Sequence, residues 1–418
     1  MNRKICILGL GYVGLPTASM FATHGYDVVG VDVNEDIVKN MEKGNIPIKE
    51  PGLETLVLAA LKSNRLKVQA KPEKADVFII CVPTPINEAT KEPDLSYVKS
   101  ATESILPYLE KGNLVVLEST VPPLTTQNIV IPILKKSDLK VGEEISVAYC
   151  PERVLPGKIL TEFVKNDRII GGLDKKSAQM AKELYGSFVE GNLHLTEITC
   201  AEMVKLMENT FRDVNIALAN EFMKISERIG IDVWEAIILA NKHPRVDIHR
   251  PGPGVGGHCI AVDPWFIINT DVEDTNLIKS ARKTNDEMPG YVAGIVENEL
   301  KDIEKPVVTV FGVAYKGNFR DTRQSPAKEV ISILLDIGFE VRAYDPLVED
   351  FPYELMPLDK ALDGSDCILI LANHRLFNNL DTKTIFSLMR NKKIIDTMNS
   401  LSSNWIENGF SVRKLGNG

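Results

Sequence analysis

The stretch Lys4-Ile-Cys-Ile-Leu-Gly-Leu-Gly-Tyr-Val-Gly14, followed by Asp27-Val-Val-Gly-Val-Asp32, decides the fold. Residues 4–8 are short and apolar, the pattern of a strand buried on both faces. Gly9 permits a tight turn, Gly11 lets a pyrophosphate reach bare backbone at a helix N-terminus, and Gly14 lets helix and strand pack closely. An apolar helix runs on to about Thr23, Gly25 closes it, and a second strand ends at Asp32. That acid is placed to accept hydrogen bonds from an adenosine ribose and to repel a 2′-phosphate. Strand, glycine turn, helix, strand and acid together predict an NAD site. The competing reading is a plain β-turn-α corner.

Working outward, strands recur at residues 77–82, 114–118, 146–149 and 168–171, with helices between them. Thr84 and Thr120 each stand just past a strand's C-terminal end, where an open α/β sheet binds its ligands. Either threonine could equally be a turn or cap residue. The loop from Cys150 to Lys158 carries Glu152, Arg153 and Lys158 at the same edge, a concentration of charge that a phosphate and sugar site needs, or a solvated surface loop. From Pro306 the pattern restarts. Strands are predicted at 307–311, 339–344, 367–371 and 393–395, with a helix opening at Ser325-Pro326. This half has no Gly-x-Gly-x-x-Gly, and its first loop is basic, with Lys316, Arg320 and Arg323. Between the two halves lies the longest helical pattern, residues 199–229. Thr199 and Glu202 read as its capping box, and Lys205, Asn209, Arg212 and Asp213 fall on one face. Further helices are predicted at 233–240 and 276–301. The fold class is therefore α/β: two Rossmann-like, doubly wound parallel-sheet domains joined by a central all-helical domain with one long helix. The expected boundaries are 1–195, 196–303 and 304–418.

The second decisive stretch is Pro251-Gly-Pro-Gly-Val-Gly-Gly-His-Cys-Ile-Ala-Val-Asp-Pro-Trp-Phe266. Four glycines and three prolines stop helix and central strand alike, leaving a fixed loop against which a ligand can lie. Cys259 and Asp263 sit within it. A thiol on a glycine-built loop is a candidate nucleophile, because N–H groups there can hold an oxyanion. The alternative is a tight turn around a buried structural cysteine.

Composition narrows the partners. The chain has 418 residues, 48 Lys and Arg against 57 Asp and Glu, and a net charge of -9, with no basic block, so nucleic acid is not expected. The six cysteines are scattered and form no Cys-x-x-Cys pair, so neither a metal site nor a disulfide framework is expected, and a cytoplasmic setting suits free thiols. No apolar run reaches the ~18 residues of a membrane span. A thiol beside NAD points to oxidation of an aldehyde through a thiohemiacetal and a thioester. If the same site also makes the aldehyde, the overall change is alcohol to acid, with two NAD reduced. A redox-sensing NAD module and a simple 2-hydroxyacid or 6-phosphogluconate-type dehydrogenase are the rival classes. The second should lack both the loop thiol and the third domain.

Gly9-Leu-Gly-Tyr-Val-Gly14, Val82-Pro-Thr-Pro85, Glu118-Ser-Thr120, Pro151-Glu152, Glu202-Met-Val-Lys205 with Asn209, Gly256-Gly-His-Cys259 with Asp263, and Asp321-Thr-Arg323 with Ser325-Pro326 resemble, in order, the UDP-glucose/GDP-mannose dehydrogenase family of nucleotide-sugar 6-dehydrogenases. Within it, Glu152-Arg-Val-Leu-Pro-Gly-Lys158, Asn241-Lys-His-Pro-Arg245 and the Gly-Gly-His-Cys form resemble the branch acting on UDP-N-acetyl-D-mannosamine. The UDP-N-acetylglucosamine 6-dehydrogenases are the nearest alternative and the UDP-glucose enzymes come next. The resemblance implies Cys259 as nucleophile and Lys205 as general acid/base with Asn209 beside it. Asp263 and Glu152 are implied to position water. Arg153, Val154, Lys205, Asn209, Arg212, His243, Arg245, Arg250, Gly256, Tyr315 and Lys316 are implied to line the UDP-sugar site. Gly9, Gly11, Tyr12, Val13, Gly14, Asp32, Thr84, Thr120 and Arg323 are implied to hold NAD. It also implies a homodimer, or a tetramer, built on the long helix.

Overall fold

The computed structural model describes residues 3–48 and 50–417. The chain forms two compact units, Met1–Glu208 with Trp265–Val272, and Asn209–Pro264 with Glu273–Gly418.

The first unit is built on an eight-stranded sheet. Its strands are β1 (Lys4–Leu8), β2 (Asp27–Val31), β3 (Leu66–Gln69), β4 (Val77–Ile80), β5 (Leu114–Leu117), β6 (Ser146–Tyr149), β7 (Arg168–Gly172) and β8 (Leu193–Glu197). The order is β3-β2-β1-β4-β5-β6-β7-β8. The first six strands are parallel and wind outward from β1 in both directions, so the chain reverses between β1 and β4, the place where such sheets bind ligands. Ile5 and Ile7 pack on one face and Cys6 and Leu8 on the other, so the strand is apolar throughout because both faces are covered.

The second unit carries the sheet β9 (Val307–Phe311), β10 (Glu340–Tyr344), β11 (Cys367–Ile370), β12 (Lys393–Asp396) and β13 (Ser411–Lys414). The order is β10-β9-β11-β12-β13 and every pair is parallel. One face packs on a cluster that includes Met223, Trp234, Val292 and Val296 from the helices, and the other on Phe377, Trp405 and Phe410. The Trp234 indole N–H donates to Leu415 O at 2.7 Å, so that ring's polar edge is satisfied inside the core.

Several expectations are corrected. The strand β7 runs antiparallel to β6, and β8 follows it, so the edge of the first sheet is reversed. Strands β3, β8 and β13 carry no apolar run that announces them. The helix predicted over 276–301 is two helices, Asn276–Asp286 and Met288–Leu300, separated at Glu287, with Pro289 in the first turn of the second. The glycine loop ends earlier than its prolines suggest, because Asp263 already begins a helix, Asp263–Thr270. The capping box at Thr199 does not form. The long helix starts at Ile198, and the Glu202 carboxylate instead accepts the N–H groups of Leu124 (2.7 Å) and Thr126 (2.8 Å) and the Thr126 hydroxyl (2.7 Å).

Candidate active site

At the first sheet's edge, Gly9 has φ +91° and its N–H donates to Val31 O at 2.8 Å, closing the turn. A Cβ on Gly9 would stand 2.6 Å from Cys81 O, and one on Gly14 would collide with Gly9 O. A Cβ on Gly11 would meet nothing within 4 Å. Two of the three glycines therefore serve the fold, and the third leaves open space over the backbone. Asp32 accepts Leu10 N–H at 3.0 Å and Asn34 N–H at 2.9 Å, which fixes the carboxylate at the crevice while leaving it half-exposed. The Thr84 hydroxyl donates to Thr120 O at 2.6 Å, joining the two loops past β4 and β5. Tyr12 is exposed and Val13 half-buried beside the turn. An open glycine, a fixed acid and two joined loops at the switch point form a crevice that fits a dinucleotide.

Behind that crevice lies a buried charged network. The Arg168 guanidinium donates to Glu152 Oε2 at 3.1 Å, and both side chains are almost fully buried. Phe163, Tyr185 and Phe188 surround it with ring centroids at 4.8, 5.1 and 5.6 Å. Glu152 Oε1 accepts Arg153 N–H at 2.7 Å. Next to them, Glu118 accepts the hydroxyls of Tyr185 (2.5 Å) and Thr17 (3.1 Å) and the Cys81 thiol (3.0 Å). Burial holds the Glu118 carboxyl above the usual carboxylate range, with the Arg168 charge opposing it. Burial likewise pushes the Cys150 thiol up to about 12 and Cys81 well above its ordinary value. Glu152 is thus not a surface carboxylate; Arg168 compensates its charge. Sequence reasoning missed Arg168 and Glu118. The available signal was a charged residue against an apolar strand run, Arg168-Ile-Ile and Val-Val-Leu-Glu118.

Two further contacts shape the loop after Glu152. The buried Glu50 carboxylate accepts Gly157 N–H (2.8 Å) and Ile159 N–H (3.0 Å). Arg153 pairs with Glu208 at 2.6 Å. Val154 packs against the first core. Lys205, on the long helix in this unit, is buried.

In the second unit, the Asn209 amide donates to Asp263 Oδ2 at 2.6 Å, and both side chains are buried. Asp213, read as part of the same polar face, accepts instead from Arg282 (2.5 Å) and Asn285 (2.9 Å). Asn220 accepts Gly252 N–H at 2.9 Å, anchoring the start of the glycine loop to the long helix. Gly257 N–H donates to Arg323 O at 2.9 Å. A Cβ on Gly256 would stand 2.5 Å from Tyr315 Cβ and 2.7 Å from Gln324 O, so a glycine is required there by close packing on residues 315–326. Cys259 is exposed, with its Sγ 3.3 Å from His258 Nδ1. Of the other five thiols only Cys200 is also exposed. The Arg323 guanidinium is paired with Asp321 at 2.6 Å. The Lys316 ammonium lies 4.9 Å from the Phe319 ring centroid. Arg212, His243, Arg245 and Arg250 are exposed, and Arg250 lines a cleft of about 450 Å³ with Asn241 and His249. The structure therefore assigns Glu152 and Lys205 to one unit, and Cys259, Asn209 and Asp263 to the other.

The chain matches the UDP-glucose/GDP-mannose dehydrogenase family along three stretches: the NAD binding domain over residues 3–189, the central domain over 199–287 and the UDP binding domain over 309–403. It is 55% identical to the UDP-N-acetyl-D-mannosamine dehydrogenase of Methanococcus vannielii, over 100% of this chain and 97% of the relative. It is 45% identical to an NDP-N-acetyl-D-galactosaminuronic acid dehydrogenase of Ralstonia nicotianae, over 94% of this chain and 95% of that one. The solved structure of the UDP-D-ManNAc dehydrogenase from Pyrococcus horikoshii superposes with a TM-score of 0.94 at 44% identity, over 99% of each chain.

Proposed function

The chain belongs to the UDP-glucose/GDP-mannose dehydrogenase family and is an NAD-dependent nucleotide-sugar dehydrogenase, and on that premise we propose that it oxidises the C6 hydroxymethyl of UDP-N-acetyl-D-mannosamine to the carboxylate of UDP-N-acetyl-D-mannosaminuronate. The observation that carries the chemistry is the exposed Cys259 on a glycine loop held to the basic 315–326 segment, while four other thiols are buried. The relatives that share the full length support the sugar.

NAD held at the edge of the first sheet would supply the hydride acceptor for both oxidations. The chain's own groups do the rest. Lys205 takes the proton of the C6 hydroxyl as the alcohol becomes an aldehyde. The Cys259 thiolate adds to that aldehyde, forming a C–S bond, and Lys205 with Asn209 holds the oxyanion of the thiohemiacetal. Loss of the second hydride leaves a thioester on Cys259. Water, positioned by Asp263 and Glu152, adds to the carbonyl and the C–S bond breaks, returning the thiol and releasing the acid. Overall, one alcohol, two oxidised cofactors and one water give one carboxylate, two reduced cofactors and three protons. Arg153, Val154, Arg212, His243, Arg245, Arg250, Gly256, Tyr315 and Lys316 hold the UDP-sugar, whose diphosphate needs cations. Gly9, Gly11, Tyr12, Val13, Gly14, Asp32, Thr84, Thr120 and Arg323 hold NAD.

Three consecutive domains, 1–195, 196–303 and 304–418, suit this division of labour. The long helix exposes Phe211, Leu218, Phe222, Ile225 and Ile229 along one stripe, which a homodimer would cover; the measured molecular mass in solution decides between dimer and tetramer. Among the described residues no helix is long and apolar enough to cross a membrane, and with free buried thiols we assign the chain to the cytoplasm.

NADH formation across UDP-N-acetyl-D-mannosamine, UDP-N-acetylglucosamine, an N-acetylgalactosaminuronate precursor and UDP-glucose tests the substrate. A preference for any but the first overturns it. Cys259→Ala should lower acid formation by about 10³-fold or more. Undiminished oxidation to the acid would sink the covalent route.

A further inference from the structure

The second sheet has its own switch-point crevice, between β9 and β11, and two side chains bridge it. Asn318 N–H donates to His374 Nδ1 at 2.9 Å, so that nitrogen carries the lone pair. The proton is then on Nε2, which donates to Asp345 Oδ2 at 3.0 Å. One residue earlier, Gly317 N–H donates to Asn373 Oδ1 at 3.2 Å. One residue later, Arg375 N–H donates back to Asn318 Oδ1 at 2.9 Å. A Cβ on Gly317 would collide with the carbonyl and side-chain oxygens of Asn373, so the two loops approach as closely as backbone allows. His374 and Asp345 are fully buried.

The consequence is twofold. Asp345 stands at the end of β10, where the acid of a dinucleotide fold would meet a ribose, but His374 covers it. The loop carrying Tyr315 and Lys316 is meanwhile fixed from behind, and Tyr315 in turn packs against Gly256 and Gly257, two residues from Cys259. We propose that Asn373 and His374 form a positioning clamp: they close the second crevice to a nucleotide ribose and set the 315–318 backbone so that the UDP-sugar is held on the outer side of that loop. This rests on the reading of Lys316 as a UDP-sugar contact.

The two ring nitrogens can be tested apart. His374→Asn puts an acceptor where Nδ1 lies and loses the donor to Asp345, whereas His374→Gln puts an amide where Nε2 lies and loses the loop acceptor. UDP-sugar and NAD affinities are measured by titration calorimetry, alongside thermal midpoints. His374→Gln should weaken UDP-sugar about tenfold and leave NAD unchanged, whereas His374→Asn should lower the thermal midpoint but hold UDP-sugar affinity within about threefold. Asn373→Ala should weaken UDP-sugar in the same direction by a smaller factor, and it decides the matter if the His374 variants do not fold. Wild-type affinity in His374→Gln or Asn373→Ala overturns the clamp, as does a loss shared by His374→Asn and His374→Gln, for UDP-sugar and NAD alike, that follows the thermal midpoint. Lys316→Ala separates the premise. Wild-type UDP-sugar affinity there removes the loop from the binding site and the clamp's purpose with it. A loss there beside wild-type affinity in the clamp variants removes the clamp alone.

Discussion

The two sheets carry the same edge built twice and used differently. Gly9 and Gly312 both have positive φ, +91° and +84°, and their N–H groups donate to Val31 O and Tyr344 O at 2.8 and 2.9 Å. Leu10 and Val313 N–H groups reach Asp32 and Asp345 at 3.0 and 2.8 Å, and the residues two further on, Asn34 and Leu347, donate to the other carboxylate oxygen, both at 2.9 Å. Gly9-Leu-Gly-Tyr-Val-Gly14 even has a worn counterpart in Gly312-Val-Ala-Tyr-Lys-Gly317. The differences decide function. The first turn runs straight into the helix Gly14–Thr23, whereas the second helix waits until Pro326, so no helix N-terminus stands behind the second turn for a pyrophosphate. Four residues past the switch-point strand, Thr84 leaves Asp32 accessible and His374 buries Asp345.

The comparison breaks most visibly where each edge compensates a buried charge. Behind the first edge, Arg168 is the partner of Glu152, and Arg168→Met leaves a carboxylate without one. We expect a loss of about 3–5 kcal/mol in denaturant unfolding, partly recovered in Arg168→Met with Glu152→Gln. Full stability in the single variant would mean that Glu152 does not need the Arg168 charge. Behind the second edge, burial acts to raise the Asp345 carboxyl, but hydrogen bonds from His374, Leu347 and Val313 outweigh it and hold the group below its ordinary value of 3.8. Stability linked to the ionised group is therefore complete above pH 3.8 and lost as pH falls below it. Asp345→Asn should cost about 2 kcal/mol near neutrality, and its gap from the wild type should close in acid. A gap independent of pH would show that the ionised form is not what the edge stabilises.

What could be read in the sequence follows how local its cause is. Gly9, Gly11, Gly14 and Asp32 work within one strand-helix-strand unit, so their spacing alone revealed the first fold. The glycine loop was equally legible, because prolines and glycines act through their own backbone. Glu202 misled, since its pattern with Thr199 is local but its partners, Leu124 and Thr126, lie 78 and 76 residues away. Arg168 was hidden for the same reason, as was the reversal of β7, which depends on pairing with β6 and not on any residue of β7. The second edge was legible as a repeat of the first without its middle glycine, but its closure was not, because the histidine that covers Asp345 lies 29 positions further along.

Asp32→Asn sharpens the comparison at the cofactor: KM for NAD should rise about tenfold and discrimination against NADP should narrow, with KM for the UDP-sugar unchanged. Equal loss for both ligands would mean that Asp32 serves the fold, as Asp345 does. The smallest effects come from exchanging the one glycine by which the two turns differ, Gly11 against Ala314. A Cβ at Gly11 meets no protein atom within 4 Å, so Gly11→Ala has no packing cost, and the smaller freedom of the unfolded chain favours it slightly. Any weakening of NAD, expected at severalfold in KM, then reports on space that the ligand alone needs. Ala314 is buried, and its N–H leans on Asp345 Oδ2 at 3.3 Å. Ala314→Gly restores the glycine pattern to the second turn, yet His374 still covers the acid and no helix follows. It should therefore lose about 1 kcal/mol of stability and bring no second NAD equivalent in equilibrium dialysis. A second equivalent bound would show that the missing glycine, not the histidine, is what closed that edge.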